Sequence, residues 1–318
     1  MSSLWPGYPH VLSSTQFTRD WYEKELFPEA DRMGSVVSTR ESRALSGKII
    51  DHLFYEPSTR TRKSFMLATW LLGGFPLYAG DPKTFSSEAK GESFVDTIRI
   101  DNVYPVDAII IRHGEADAPE RAAAVTKVPI ISAGAGPREH PTQAMLDLYT
   151  IYKAFGDISG LSIALVGDLL FSRTIRSLGL ALPGFAPSKV FFIGPPEWRI
   201  PQEVKEGFES AGIPYEEGCD LRKCASGLDV VYLTRAQTER SSSQLVIRMR
   251  NPVEHCYVLN DEVLNCLPEH TKVMHPLPRN DVFGELREEF TDDPHVIIFD
   301  EARNGLLVRM ALLKMILG

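Results

Sequence analysis

Arginine and hydroxyl side chains are grouped at one point in the N-terminal half of the chain, in residues 58–62 (STRTR). Pro57 ends an apolar run that predicts a strand, and Ser58 or Thr59 can cap a helix whose apolar period begins near Phe65. Backbone N–H groups, hydroxyl groups and a guanidinium group would then lie together at the positive end of a helix. This combination is typical of a phosphate site, and a well-capped helix with solvated arginines is the alternative. No Walker sequence is present, so a nucleoside triphosphate is not implied.

Other arginines stand where predicted strands end. Arg112 closes an apolar run, and ligands collect outside the carboxyl ends of parallel strands. Arg173 begins a helical pattern after one predicted strand, and Arg235 follows another. On the local sequence alone, either of the last two could equally be a surface salt-bridge residue.

The composition restricts the partners of the chain. A formal net charge of −8 argues against a general nucleic-acid or membrane-surface binder, because either would require a basic excess. The first ten residues lack the features of a secretory signal, and no run of about 18 apolar residues predicts a membrane span. We therefore expect a cytoplasmic protein with no nucleic-acid partner and no membrane partner. Four cysteines show neither a paired motif nor zinc spacing, which indicates reduced thiols (Cys219, Cys224, Cys256 and Cys266).

Short apolar strands alternate with helical patterns along most of the 318 residues. The predicted strands are residues 49–55, 108–112, 129–132, 162–166, 189–193, 230–234, 272–274 and 296–299. The predicted helices include residues 62–72, 143–155, 173–182, 201–211 and 305–317. The pattern predicts an α/β fold with two doubly wound parallel-sheet domains joined by crossing helices. We place the domain boundary between residues 150 and 151, and we expect residues 303–318 to pack back onto the first domain.

Several motifs, taken in order, resemble those of one enzyme family. Residues 58–62 resemble the carbamoyl-phosphate signature of the transcarbamoylases. The further matches are residues 86–92 (SSEAKGE), 140–143 (HPTQ), 235–240 (RAQTER), 275–279 (HPLPR) and 304–313 (NGLLVRMALL). The resemblance covers residues 16–318. Within the family, the RAQTER and HPLPR motifs resemble those of the members that use aspartate rather than ornithine.

This resemblance implies an activity and an assembly. The reaction would transfer the carbamoyl group of carbamoyl phosphate to the α-amine of L-aspartate, giving N-carbamoyl-L-aspartate and phosphate in pyrimidine biosynthesis. Residues 1–150 with 303–318 would form the carbamoyl-phosphate-binding domain, and residues 151–302 the aspartate-binding domain. The resemblance also implies a homotrimer with sites shared between subunits, and neither a cofactor nor a metal. A regulatory chain or a dihydroorotase partner is left open.

The resemblance also implies site residues. Arg60, Thr61, Arg112 and His140 would be catalytic, the last three by facing the carbonyl oxygen, where charge develops during attack. The expected carbamoyl-phosphate contacts are Ser58, Thr59, Arg60, Thr61, Ser86, Arg112, His140, Gln143, Pro276 and Leu277, the last two through their backbone. The expected aspartate contacts are Lys90, Arg173, Arg235 and Gln237. Glu56 and Arg240 would hold the domains closed over the substrates.

The chain departs from the family pattern before Arg173, where Leu170, Phe171 and Ser172 replace a lysine, an aromatic residue or histidine, and a glycine. These residues leave open a first alternative, that the chain is a carbamoyltransferase with a different amino acceptor. A non-catalytic homologue that only binds ligand is a second alternative. A dinucleotide-binding oxidoreductase is a third, suggested by Gly134 and Gly136, but the pattern lacks a third glycine.

Overall fold

The computed structural model describes residues 10–78, 91–237, 257–279 and 284–318. Packing divides the chain into two compact units, one of Met1–Leu146 with Arg303–Gly318 and the other of Asp147–Ala302. The predicted boundary at residue 150 falls inside the helix Pro141–Phe155, which begins in the first unit and ends in the second.

The first unit contains a four-stranded parallel sheet. Its strands are β1 (Ile49–Phe54), β2 (Phe75–Leu77), β3 (Ala108–His113) and β4 (Ile130–Ala135), in the spatial order β2-β1-β3-β4. Ile50 of β1 and Ile109, Ile110 and Ile111 of β3 are fully buried because both faces of the sheet are covered. All four carboxyl ends therefore lie at one edge of this sheet.

The second unit contains a five-stranded parallel sheet. Its strands are β5 (Ser162–Val166), β6 (Lys189–Ile193), β7 (Tyr215–Gly218), β8 (Val230–Leu233) and β9 (Lys272–Met274), in the spatial order β7-β6-β5-β8-β9. The order reverses at β5, so the loops after β5 and β8 lie at a topological switch point. The α/β class and the two parallel sheets confirm the predicted fold class.

Helices connect the strands. The α-helices are Arg19–Trp21, Phe27–Thr39, Thr59–Leu71, Phe94–Asp101, Ala118–Ala123, Pro141–Phe155, Arg173–Ala181, Gln202–Ala211, Asp261–Cys266 and Ile298–Leu317. A π-helical stretch, Tyr22–Leu26, joins the first two. Short 3-10 helices occur at Leu182–Phe185, Leu221–Lys223, Ala225–Gly227 and Glu288–Phe290. In the described ranges, no helix is both long enough and apolar enough to cross a membrane.

One predicted strand, residues 296–299, is wrong. Val296 forms only an isolated bridge to Val273, and the helix Ile298–Leu317 has already begun two residues later. The closing helix is thus longer than the predicted 305–317, because Asp300 and Glu301 supply favourable negative charge to its first turn. The short strands β2 and β7 were not predicted.

The C-terminal part of the closing helix belongs to the first unit. Arg309 donates to Ser64 Oγ at 2.8 Å and lies over the ring of Phe65, 5.2 Å from its centroid. Lys314 pairs with the buried carboxylate of Glu29 at 2.7 Å. Two charged side chains thus fix this part of the helix, one over an aromatic ring and one on a buried carboxylate.

Candidate functional site

The turn after β1 carries the STRTR motif into the helix Thr59–Leu71. Ser58 is the N-cap residue, in an extended conformation, but its hydroxyl group makes no capping hydrogen bond. The side chains of Thr59 and Arg60 are exposed, whereas Thr61 is buried. The first helical turn contains no acidic residue. The positive end of this helix is therefore open to an anion, and the capping alternative does not account for the hydroxyl of Ser58.

His140 lies beside the same turn, although 79 residues separate it from Thr61. Its Nε2 atom is 3.5 Å from Thr61 Oγ1, and the residue is only 2% exposed. The backbone of His140 also begins the next helix, because its carbonyl group accepts from the N–H groups of Gln143 at 2.9 Å and Ala144 at 3.2 Å. Its backbone thus caps a helix while its imidazole faces Thr61.

Arg112 is held at the end of β3, where the register with β4 shifts between Ile111 and His113. Such irregularities redirect side chains and often lie near active sites. The Arg112 Nη1 atom donates to the carbonyl of Ala133 at 3.2 Å, and Nε lies 3.6 Å from Glu56 Oε2. The guanidinium group is therefore oriented from two sides at the carboxyl edge of the sheet. The structure places Glu56, expected to take part in closure, beside Arg112.

The loop before His140 is fixed by tight backbone packing and by a buried carboxylate. A Cβ atom on Gly136, whose φ is +47°, would lie 2.7 Å from the carbonyl oxygen of Gly114, so no side chain fits there. Glu139, 7% exposed, accepts from the backbone N–H of Ser14 at 2.7 Å and from its hydroxyl at 2.6 Å. It also accepts from the Ser13 hydroxyl at 3.2 Å. Sequence reasoning missed Glu139, whose only signal was its position beside His140.

In the second unit, one carboxylate joins the loops that follow β5 and β8. Asp168 is fully buried, and its two oxygens accept from Phe171 N at 2.8 Å and Gln237 N at 3.1 Å. The close approach also requires Gly167, because a Cβ there would lie 2.4 Å from the Thr234 carbonyl oxygen. Asp168 thereby fixes the backbone next to the half-buried Arg235 and Gln237. No role had been predicted for Asp168.

Arg173 begins the helix Arg173–Ala181, and the unusual residues before it have structural partners. The hydroxyl of Ser172 caps the helix by accepting from Ile175 N at 3.4 Å. Leu170 and Phe171 pack against the cluster of Trp198 and Ala236. These substitutions therefore supply a cap and apolar packing.

The loop after β9 contains the HPLPR motif. His275, 1% exposed, donates its backbone N–H to Glu301 Oε2 at 2.8 Å. Its Nδ1 atom accepts from the backbone N–H of Leu277, also at 2.8 Å. Leu277 has a φ of +55°, in the left-handed region. Neither His275 nor Glu301 had been assigned a role from the sequence.

A buried acidic pair lies in the first unit. Asp51 on β1 and Asp101 at the end of the helix Phe94–Asp101 are each 6% exposed and hydrogen-bond to each other. Burial raises the pKa of Asp51 to about 6, and burial with the neighbouring Asp51 raises the pKa of Asp101 to about 7. Burial lowers the pKa of the adjacent His52 to about 4.

Two predicted substrate contacts, Ser86 and Lys90, and the predicted closure residue Arg240 lie outside the described residues. The structure brings together Thr61 with His140 and Glu56 with Arg112 in the first unit, and the backbone of Gln237 with Asp168 in the second. Across the described ranges, no group of three or more histidine, cysteine, aspartate or glutamate side chains could hold a metal ion.

Comparison with known families gives a consistent result. Residues 9–153 match the family "Aspartate/ornithine carbamoyltransferase, carbamoyl-P binding domain", and residues 159–316 match "Aspartate/ornithine carbamoyltransferase, Asp/Orn binding domain". The chain is 42% identical to the chloroplastic aspartate carbamoyltransferase of Oryza sativa subsp. japonica, over 96% of this chain and 84% of that protein. It is also 42% identical to the aspartate carbamoyltransferase catalytic subunit of Methanopyrus kandleri, over 97% of each.

Solved structures agree with these relatives. Aspartate transcarbamoylase from Trypanosoma cruzi, crystallised with carbamoyl aspartate and phosphate, is similar with a TM-score of 0.89, 34% identity and coverage of 97% of this chain and 96% of that one. The catalytic subunit of M. jannaschii aspartate transcarbamoylase gives a TM-score of 0.86 at 37% identity, covering 97% and 98% of the two chains. The chain described here belongs to the aspartate/ornithine carbamoyltransferase family, and its similarity is to the aspartate carbamoyltransferases within it.

Proposed function

We propose that this protein transfers the carbamoyl group of carbamoyl phosphate to the α-amine of L-aspartate, giving N-carbamoyl-L-aspartate and phosphate for pyrimidine biosynthesis. The observation that carries the proposal is the 3.5 Å approach of Thr61 Oγ1 and His140 Nε2 beside the start of the helix Thr59–Leu71, with Arg112 near the end of β3 at the carboxyl edge of the same sheet. Three donors from separate segments, next to an open helix N-terminus, suit a dianion that carries a reactive carbonyl.

In this proposal, the first unit binds carbamoyl phosphate. Ser58, Thr59 and Arg60 take the phosphate, for which the open N-terminus and the exposed guanidinium group provide charge-assisted hydrogen bonds. Thr61, Arg112 and His140 face the carbonyl oxygen. The contact of Glu56 with Arg112 supports this role, because a guanidinium group fixed before the reaction stabilises developing charge without reorganisation.

The carbamoyl NH2 group is assigned to Gln143 and to the backbone carbonyl groups of Pro276 and Leu277. Gln143 is 8% exposed, in the first turn of the helix Pro141–Phe155. An amide side chain can both donate and accept there, which suits recognition of an amide group. Ser86 completes the proposed carbamoyl-phosphate contacts.

In the second unit, Arg173 pairs with the α-carboxylate of aspartate, while Arg235 and Gln237 take its side-chain carboxylate. The buried carboxylate of Asp168 supports this assignment, because it fixes the backbone of Gln237 and of the segment before Arg173. Bidentate guanidinium pairing would select a dicarboxylate acceptor by geometry as well as by charge. Lys90 completes the proposed aspartate contacts, and Arg240 is assigned, with Glu56, to closure over the substrates.

The chemistry requires no covalent enzyme intermediate. The neutral α-amine of aspartate attacks the carbonyl carbon, a C–N bond forms, and the carbonyl oxygen gains negative charge. Collapse of this tetrahedral intermediate breaks the C–O bond to phosphate, and the amine nitrogen loses a proton. Positioning of the two substrates and stabilisation of the oxyanion supply the rate enhancement.

We further propose a cytoplasmic homotrimer with sites shared between subunits. An apolar surface supports contact with a second copy of the chain: Leu67, Trp70 and Phe75 are 44%, 56% and 60% exposed beside the edge strand β2. The Methanopyrus relative is named a catalytic subunit, which supports a regulatory or other partner chain here. Light scattering of the purified protein tests the trimer, and a monomer at micromolar concentration would refute it.

Fractionation of the source cells tests the location, since plant relatives are named chloroplastic.

The activity is tested by incubating the protein with saturating carbamoyl phosphate and a panel of amino acids that includes aspartate and ornithine. Phosphate release and the mass of the carbamoylated product are measured together. A preference for aspartate supports the proposal, whereas preference for another amine identifies a different acceptor. Binding of carbamoyl phosphate without any product would establish a non-catalytic homologue.

A further inference from the structure

The loop after β9 is fixed by side chains that do not belong to the proposed substrate contacts. The Glu301 carboxylate, 1% exposed in the first turn of the closing helix, accepts from the backbone N–H of His275 at 2.8 Å. The imidazole of His275 then accepts from the backbone N–H of Leu277 at 2.8 Å. Two hydrogen bonds in succession thus connect the first turn of the closing helix, which belongs to the second unit, to the backbone of this loop.

Leu277 requires such support. Its φ of +55° is in the left-handed region, which costs a residue with a Cβ atom about 1–2 kcal/mol. A conformation of this kind persists where surrounding interactions determine it. The bond from Leu277 N to His275 Nδ1 acts directly on this residue, and the leucine side chain packs against the core of the second unit.

The two ring nitrogens of His275 have different partners. Because Nδ1 accepts a hydrogen bond, the imidazole is the neutral tautomer with its proton on Nε2. Nε2 lies 3.3 Å from Glu285 Oε1, and that side chain is also buried. The hydrogen bond at Nδ1 therefore defines the orientation of the ring, and only this end acts on the loop.

We propose that His275 and Glu301 are positioning residues for carbamoyl transfer, a role that rests on the proposed function. Glu301 fixes the backbone of His275, and His275 Nδ1 fixes that of Leu277, so that the carbonyl groups of Pro276 and Leu277 are held for the carbamoyl NH2 group. Both side chains act through the main chain rather than on the substrate.

Two ligands that differ at the amide test how the protein recognises the carbamoyl NH2 group. Phosphonoacetamide is the methylene isostere of carbamoyl phosphate and keeps its amide, whereas phosphonoacetate carries a carboxylate in place of that amide. Their dissociation constants are measured by calorimetry for the full-length protein and for each variant. Loss of the positioning is expected to weaken phosphonoacetamide binding about tenfold, equivalent to about 1.4 kcal/mol, and to leave phosphonoacetate binding unchanged.

Two pairs of variants separate positioning from a general structural role. His275→Asn keeps an acceptor at the place of Nδ1, and His275→Gln keeps a donor near the place of Nε2. The asparagine variant should retain kcat within about threefold, and the glutamine variant should lose at least about tenfold, because small displacements in an active site are costly. Glu301→Gln should likewise be close to the parent, since its amide oxygen can accept, whereas Glu301→Ala should resemble His275→Gln.

Controls and outcomes follow from the same comparisons. His270→Gln, in an exposed position just before β9, is the matched control and should leave kcat and both ligand affinities unchanged. Equal losses for His275→Asn and His275→Gln, or equal weakening of the two phosphonates, would overturn the inference. A parent protein that fails to carbamoylate aspartate refutes the proposed function instead. An active parent with the wrong ranking of variants refutes only the positioning role.

Discussion

Replacing Asp101 with asparagine is expected to stabilise the protein at pH 8 and to change its stability little at pH 4. Asp101 and Asp51 are buried against each other, and the pKa values of these carboxyl groups are raised to about 7 and about 6. At pH 8 the fold must keep both as carboxylates in a poorly solvated place. Asparagine removes one charge and can donate a hydrogen bond to the other.

The sign of the change in the free energy of unfolding follows from the direction of the pKa change. A carboxyl group with a raised pKa binds its proton more tightly in the folded state than in the unfolded state. The free energy of unfolding therefore carries no penalty below pH 3.8, falls as the pH rises through 7, and is lowest above that value. At 1.36 kcal/mol for each pKa unit, the raised pKa of Asp101 sets an upper bound of about 4 kcal/mol at pH 8, shared between the two carboxyl groups and reduced by solvent screening. Because Asp51 stays buried in the variant, we expect a gain of about 2–3 kcal/mol.

Thermal unfolding at fixed protein concentration measures this effect. A gain of this size corresponds to a rise in melting temperature of about 3–5 °C at pH 8, because a chain of 318 residues unfolds with an entropy of about 0.7 kcal/mol/K. Burial lowers the pKa of His52 to about 4, so that its neutral form gives stability that is lost as the pH falls from 6.5 to 4. Both proteins contain His52, so the difference between them at each pH cancels its contribution.

Asp96→Asn is the matched control, because Asp96 lies on the same helix with its side chain 57% exposed. It should show the same pH dependence as the parent above pH 5. Asp51→Asn should reproduce the effect of Asp101→Asn, and the double variant should gain less than the sum of the two. A change in melting temperature that is equal at pH 4 and pH 8 would refute the shared buried charge.

Three further outcomes test the site. Arg60→Ala should raise the Michaelis constant for carbamoyl phosphate by about 10–100-fold, because a charge-assisted hydrogen bond contributes about 1.5–3 kcal/mol, and initial rates would show no such change if Arg60 were solvated. Arg235→Lys should raise the Michaelis constant for aspartate at least about tenfold with little effect on carbamoyl phosphate, because an ammonium group cannot pair bidentately. Glu139→Ala should lower stability by about 1–3 kcal/mol, because Ser14 loses a buried acceptor, and unchanged thermal unfolding would contradict this.

The architecture was predictable where the sequence signal is local. The central strands β1, β3, β5 and β8 are short apolar runs, and a buried parallel strand needs no other signal. The edge strand β2 was missed because Pro76 interrupts it, and β7 because Glu216 and Glu217 make it polar. The strand predicted at residues 296–299 was wrong because an apolar run of four residues is ambiguous between a strand and the start of a helix.

The residues of the candidate site also include some that the sequence predicts and some that it does not. Arg60 and His140 are in motifs whose residue types indicate anion chemistry, and Arg112 closes a predicted strand, so all three could be proposed from sequence. The groups that orient the site could not be proposed from sequence, because each acts on a distant segment. Glu139 accepts from Ser14, and Asp168 accepts from the backbone of Gln237, 69 residues away. Such pairings depend on the tertiary fold and leave no periodic pattern in the sequence.

The membership of residues 303–318 in the first unit has a consequence for biogenesis. A nascent chain emerges from the ribosome with its N-terminal part first, and domains commonly fold as they emerge. Here the core around Phe65 and the partner of the buried Glu29 carboxylate are completed only when Arg309 and Lys314 have been synthesised. The first unit therefore cannot complete its core until the second unit has been synthesised. A chain truncated before residue 303 would expose the residues that pack against the closing helix, and we expect it to be a substrate for chaperones and proteases.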